Sequence, residues 1–98
     1  MTNYYVTYTL KDKETRDAFY NEVKNSGVVE ASRAEEGCIR YDYFYYADTD
    51  NQIFLWEQWE SREAQAEHMT LPHFSTLTAI KEKFEVAADI LIEDQLIK

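Results

Sequence analysis

The fold is decided by the stretch CIRYDYFYYADTDNQIFLWEQWE, residues 38–60. Two runs rich in aromatic and β-branched residues flank a polar turn at residues 48–51. Side chains alternate between two faces in both runs. Tyr41, Tyr43 and Tyr45 share one face of the first run, and one face of the second run carries Ile53, Leu55, Glu57 and Trp59. Because a period of two is typical of strands and a short polar turn joins antiparallel ones, the stretch predicts a β-hairpin.

The chain before this hairpin predicts one strand and one interrupted helix. Residues 3–10 alternate in the same way, and one face carries Tyr4, Val6, Tyr8 and Leu10. Asp12 can cap a helix that runs from residue 13 to about residue 33. Gly27 is expected to end that helix near its last turns, so that residues 28–31 form a short continuation.

The chain after the hairpin predicts two helices and a last strand. Ser61 is a suitable N-cap for a short helix that contains Ala64 and His68, and Pro72 suits the first turn of the next helix. This second helix carries a buried stripe at helical spacing, formed by His73, Leu77, Ile80 and Phe84. The last strand is predicted from the alternation of Ala88, Ile90, Ile92 and Leu96.

The order of these elements, β-α-β-β-α-α-β, predicts one α+β domain over residues 1–98. Split βαβ units of this kind form a four-stranded antiparallel sheet with helices on one face. The second and third strands carry large aromatic side chains on both faces, and an exposed aromatic sheet face marks an interaction surface. We therefore expect a homodimer that packs sheet against sheet.

Composition excludes several classes of function. The formal net charge is −9 and no basic cluster interrupts it, which disfavours binding to nucleic acid or to an anionic membrane. The chain has a single cysteine, Cys38, so neither an internal disulfide nor a cysteine-based zinc site is expected. The first residues lack a basic region followed by an apolar run, so a cytoplasmic location is expected.

Four residues suggest proton chemistry. Glu57 and Trp59 point the same way on their strand, and a carboxylate directed into an apolar space needs a partner. His68 and His73 are candidates for that partner, and imidazole is the side chain best suited to move protons near neutral pH. The structural alternative is that each histidine is a packed, hydrogen-bonded core residue, with His73 anchoring its helix beside Pro72.

Other polar residues favour structural roles. Tyr41 and its neighbouring tyrosines can pack on a flat ligand and hydrogen-bond it, but cross-strand packing explains them as well. Residues 35–36 are interpreted as an exposed entry to the second strand, and Asp48 and Asp50 as a solvated turn. No Gly-rich phosphate loop and no helical His pair at metal spacing occurs, so neither a nucleotide nor a metal cofactor is expected.

Two segments resemble the antibiotic biosynthesis monooxygenase (ABM) domain family. AEEGCIRY at residues 34–41 resembles the family's helix-to-strand segment, and EQWESREA at residues 57–64 resembles its second signature. The residues that match the family pattern are Glu57, Trp59, His68, His73 and Phe74. Glu36 stands where the family commonly has proline. The resemblance implies a ferredoxin-like βαββαβ fold, a homodimer that forms a dimeric α/β barrel, and a pocket between sheet and helices in each protomer.

The same resemblance implies a choice between activities. The family includes quinol monooxygenases that use no metal or flavin, and an isomerase of a phosphorylated dione in quorum-signal breakdown. Haem-degrading relatives share the fold, but Val6 replaces their first-strand asparagine and the last helix has no histidine at its middle.

Our first hypothesis is a cofactor-independent monooxygenase that oxidises a small aromatic quinol. His68 is the base and Glu57 orients it, while the substrate is bound by Trp59, Tyr41, His73 and Phe74. The isomerase alternative needs Arg33 and Arg40 to hold a phosphate. A non-catalytic small-molecule binding module is the third hypothesis.

Overall fold

A computed structural model describes residues 1–95 of the 98-residue chain, and Leu96 of the predicted last strand lies outside them. The elements in chain order are β1 (Thr2–Thr9), α1 (Lys13–Ser26), α2 (Val28–Arg33), β2 (Cys38–Tyr45), β3 (Gln52–Trp59), α3 (Arg62–His68), α4 (Pro72–Lys83) and β4 (Ala87–Asp94). This order confirms the predicted α+β arrangement.

The four strands form one antiparallel sheet in the order β2-β3-β1-β4. In this register Glu57 of β3 lies opposite Tyr4 of β1 on one side and opposite Tyr41 of β2 on the other. A register shift between Cys38 and Arg40 marks the start of β2. Glu57 therefore lies inside the sheet rather than at an edge, on the face that carries the helices.

The core lies between this face of the sheet and the helices. Along β3 the burial alternates strictly, which confirms that Ile53, Leu55, Glu57 and Trp59 share the inner face. Phe19 and Val23 of α1 have no exposed surface, and Leu77 of α4 is 2% exposed. Burying apolar side chains of this size contributes about 1.5–3 kcal/mol each, so this layer supplies most of the driving force for folding.

The sequence signals at the helix ends are confirmed. The Asp12 side chain accepts a hydrogen bond from the backbone N–H of Thr15 at 2.8 Å, and Ser61 caps α3 in the same way. Gly27, with φ at +83°, separates α1 from α2. Within residues 1–95, none of the helices has the length and apolar composition that crossing a bilayer requires.

The outer face of the sheet is aromatic. Tyr5 stacks on Phe54 with ring centroids 6.1 Å apart, and Phe44 lies 6.2 Å from Phe54. The Arg40 guanidinium lies over the Trp56 ring at 4.2 Å. Beside them, Leu91 of β4 is 67% exposed, so all four strands place large apolar side chains on this face.

Two glycines with similar backbones form a matched pair for a stability test. Both need positive φ, +83° at Gly27 and +90° at Gly37, which costs an alanine about 1–2 kcal/mol. A Cβ at Gly27 meets nothing within 4 Å, whereas one at Gly37 would lie 2.9 Å from the Cβ of Ala64. We expect Gly37→Ala to lose roughly 1–3 kcal/mol more unfolding free energy than Gly27→Ala, measured by urea denaturation. Equal losses would show that α3 moves aside without cost.

Candidate active site

One carboxylate and two imidazoles meet at the ends of three elements. Oε2 of Glu35 lies 2.5 Å from Nδ1 of His68 and 2.6 Å from Nε2 of His73. His68 is 1% exposed, and the side chains of Glu35 and His73 are 11% and 19% exposed. A carboxylate accepts hydrogen bonds and does not donate them, so each imidazole directs an N–H at the same oxygen.

Short-range structure holds each of these side chains in place. Glu35 lies in the turn between α2 and β2, where its N–H donates to the carbonyl of Ser32 and its carbonyl accepts from Cys38. His68 is the last residue of α3, and His73 follows Pro72 at the start of α4. The turn between these two helices brings both imidazoles to the same side of Glu35.

Aromatic rings surround His68. Its ring centroid lies 4.8 Å from that of Trp59, 5.4 Å from that of Phe74 and 5.8 Å from that of Tyr41. Burial lowers the pKa of His68, and the hydrogen bond that His68 donates to Glu35 only partly opposes this. Because Nδ1–H donates to Glu35, Nε2 of the neutral ring is the nitrogen that can accept a proton.

Glu57 forms the second polar element of the site. It is 7% exposed, and its Oε1 accepts a hydrogen bond of 3.1 Å from the indole N–H of Trp59. Burial raises its pKa from 4.5 to about 7, although Trp59 and Lys81 of α4 act in the opposite direction. Burial also lowers the pKa of Lys81, while Glu57 raises it. Glu57 is thus a carboxyl that changes its charge near neutral pH.

The predicted pairing of Glu57 with His68 is wrong. The carboxylate bound to His68 is Glu35, which lies in the turn that the sequence predicts as an exposed entry to the second strand. Glu57 is instead hydrogen-bonded to Trp59, two residues along the same face of β3. Glu35 was missed because it meets the histidines only after α2 and α3 are packed. The one local signal is Gly37, whose positive φ folds the turn close to Ala64 of α3.

The other predicted site residues do come together around His68. Trp59, Tyr41, Phe74 and His73 all lie with ring centroids within 5.8 Å of the His68 ring. Whether they bind a substrate stays a prediction.

Two phenols of β2 are buried next to this cluster. The rings of Tyr41 and Tyr43 pack edge to face with centroids 5.8 Å apart. Neither hydroxyl has a hydrogen-bonding partner among residues 1–95. Burial raises both pKa values well above the usual range, so the phenols stay neutral and can donate a hydrogen bond. They supply polar groups in an otherwise apolar wall.

The arginines required by the isomerase hypothesis are engaged elsewhere. Arg33 binds Asp42 at 3.0 Å, and its Nε donates to the carbonyl of Tyr41. Arg40 binds the same Asp42 at 3.4 Å and stacks over Trp56, on the outer face of the sheet. These two arginines therefore do not form a phosphate-binding site next to His68.

A small cleft borders the carboxylate. It has a volume of about 260 Å³ and is lined by Glu35, Glu36, Ala64, Glu67 and Leu71. Water and small solutes can reach the turn that carries Glu35 from this side. One ligand atom from each of Glu35, His68 and His73 also lies within 4.8 Å of the other two, so these residues could hold a metal ion.

The comparison with known proteins assigns the chain to a family. Residues 6–79 match the model of the family described as Antibiotic biosynthesis monooxygenase. The chain is 33% identical to YjcS of Bacillus subtilis over 72 residues, which cover 71% of this chain and 67% of YjcS. It is 32% identical over 72 residues to a second protein of that organism, named "Putative monooxygenase YcnE", with 74% of each chain covered.

Solved structures support the same fold. A protein from Deinococcus radiodurans, whose name also describes an antibiotic biosynthesis monooxygenase, superimposes with a TM-score of 0.86 at 17% identity. The match covers 100% of this chain and 95% of that one. Since a match at this identity shows the fold alone, the assignment rests on the family model and the two Bacillus relatives. The chain belongs to the antibiotic biosynthesis monooxygenase family.

Proposed function

We propose that this protein is a monooxygenase that oxidises a small, electron-rich aromatic quinol with dioxygen and needs no resident cofactor. The observation that supports this most is the environment of His68, which is buried among Trp59, Phe74 and Tyr41 with Nδ1 bound to Glu35. A base held in one tautomer within an apolar wall is what deprotonation of a phenol requires.

The reaction begins with transfer of the quinol hydroxyl proton to Nε2 of His68. The Glu35 carboxylate stabilises the imidazolium that forms, because it already accepts the Nδ1–H. The phenolate reacts with dioxygen directly. One oxygen atom adds to the ring and the other leaves as water, while the quinol is oxidised to a hydroxyquinone and supplies all the electrons.

Substrate binding is assigned to the residues around the imidazole. Trp59 and Phe74 offer ring faces on which an aromatic substrate can pack, and His73 closes the side next to Glu35. The free hydroxyl of Tyr41 can donate to the oxygen that becomes a quinone carbonyl. Glu57, bound to Trp59, positions the indole and does not orient His68.

The proposed activity is tested with an oxygen electrode and a panel of benzoquinols and naphthoquinols. We expect oxygen uptake above the autoxidation rate for at least one quinol, with the hydroxyquinone as product by mass spectrometry. No uptake above background for the whole panel would contradict the proposal. Binding of quinols without turnover, seen as a shift in Tm, would favour the binding-module hypothesis instead.

We also propose that the outer face of the sheet forms a homodimer. The exposed Leu91 lies beside the Tyr5–Phe54 stack, and covering such an apolar surface favours association. We expect a dimer in sedimentation velocity, and Leu91→Asp is expected to shift it toward monomer. Asn25→Asp, which adds the same charge on the exposed side of α1, is the control and should leave the dimer intact. Equal behaviour of the two variants would exclude this face.

A further inference from the structure

We infer that Glu35, His68 and His73 bind a divalent transition-metal ion. Their three ligand atoms lie within 4.8 Å of one another, and they come from a turn and from two helix ends. None of the steps proposed for quinol oxidation uses a metal, so this inference goes beyond that function while sharing three residues with it.

The donor set is the one that such ions select. Two imidazole nitrogens and one carboxylate oxygen with an open position are found at catalytic zinc sites and at non-haem iron sites. Hard cations such as Mg²⁺ and Ca²⁺ prefer oxygen ligands throughout, and they fit this set poorly. The chemistry of the ligands therefore favours Zn²⁺ and Co²⁺ over the alkaline-earth ions.

No pair of ligand atoms has to move by more than about 1.5 Å, since the three atoms already lie within 4.8 Å of one another. In a tetrahedral site with bonds of about 2.0–2.1 Å, ligand atoms lie about 3.3 Å apart. The two contacts of Glu35, at 2.5 and 2.6 Å, must therefore lengthen by less than about 1 Å. Glu35 lies on a turn and borders the cleft of about 260 Å³, so its carboxylate has room to withdraw. Water from that cleft can fill the open position.

The charges of the site also suit a cation. The ion replaces the two N–H protons that now point at Glu35, and it leaves the carboxylate paired. The acidic residues Glu36 and Glu67 line the same cleft, within a chain of formal net charge −9. A divalent cation is attracted toward this opening and neutralises part of that charge.

Two other residues offer competing ligands for the metal ion, one half-buried and one on the surface. Cys38 is half-buried in β2, and its thiol would attract the same soft ions. Asp50 lies on the exposed hairpin turn, where a carboxylate can hold a cation loosely. Variants of these two residues therefore serve as matched controls.

Metal binding is separable from the proposed oxidation. An ion on Nδ1 of His68 leaves the proton on Nε2, which removes the base. Zn²⁺ is then expected to inhibit quinol oxidation with a midpoint equal to its Kd. Metal binding is measured without quinol, so a protein that binds no metal can still oxidise quinols. A protein that oxidises no quinol can still bind metal, because the binding measurement does not depend on turnover.

The test is titration calorimetry with Zn²⁺ and with Co²⁺ on chelator-treated, full-length protein that carries no histidine tag. We expect one ion per chain and a visible absorption band from four-coordinate Co²⁺. Groups that only hydrogen-bond a metal ligand change metal affinity by about 10–100-fold, so Glu35→Gln, His68→Gln and His73→Gln, which each remove a ligand, should weaken binding by at least about 100-fold. Cys38→Ala and Asp50→Asn should bind as the parent does. The inference is overturned if the three ligand variants bind like the parent, or if Cys38→Ala abolishes binding.

Discussion

Replacing His68 by glutamine is expected to lower kcat/KM for quinol oxidation by about 10²–10⁴-fold, the range that a general base contributes. Glutamine keeps a hydrogen-bond donor for Glu35 but cannot take up the substrate proton. The Glu35 contact of 2.5 Å marks His68 as the imidazole with a fixed tautomer, and its 1% exposure shields it from solvent. Steady-state oxygen uptake over a range of quinol concentrations measures the effect.

A second variant and a folding control decide whether the loss of kcat/KM in His68→Gln reflects the missing base. Glu35→Gln keeps the hydrogen-bond geometry but removes the charge that stabilises the imidazolium, so it should lower kcat and leave KM nearly unchanged. Circular dichroism and Tm establish that each variant is folded. Full activity of His68→Gln would remove His68 from the mechanism, even if quinol oxidation itself is confirmed.

Replacing Glu57 by glutamine is expected to change how stability depends on pH. The pKa of Glu57 is raised by burial from 4.5 to about 7, so the native state holds a proton that the unfolded state has lost between these values. Stability therefore falls as pH rises through this window, by about 3 kcal/mol for a shift of this size. Glutamine carries no titrating proton, so this contribution disappears and the variant gains stability above pH 7.

The groups that face Glu57 come from each element packed against it. They are Trp59 on its own strand, Lys81 of α4, Glu35 of the turn before β2, and the phenols of Tyr4, Tyr8, Tyr41 and Tyr43. Urea denaturation of both proteins at pH values from 4.5 to 8 measures the difference. Glu36→Gln, at an exposed position next to Glu35, is the control. An identical pH profile for Glu57→Gln and the parent protein would show that folding does not shift the pKa of Glu57.

The elements of the fold could be predicted because their signals are local. Alternation along β3 predicts which side chains face the helices, since a strand turns each successive residue to the opposite face. Asp12 and Ser61 mark helix starts because a short side-chain oxygen satisfies an N–H that the helix leaves free. Neither signal depends on how distant parts of the chain pack against the strand or the helix.

The environment of His68 was partly predictable for the same reason. Trp59 lies on the inner face of β3 by alternation, and His68 ends the short helix that follows a capping serine. The chain must turn back over the sheet between them, which brings the two rings to 4.8 Å. Their contact thus follows from a short loop and from two well-marked elements.

The strands, the helices and the inward face that carries Glu57 and Trp59 follow from local patterns in the sequence. That Glu35, and not Glu57, binds both histidines follows only from the packing of the folded chain. That choice depends on where α2 and α3 end and where α4 begins, and residues 33 and 38 positions apart leave no periodic signal. Packing of the helices on the sheet brings their ends together, and the shared carboxylate oxygen then satisfies two imidazole N–H groups that would otherwise be buried unpaired.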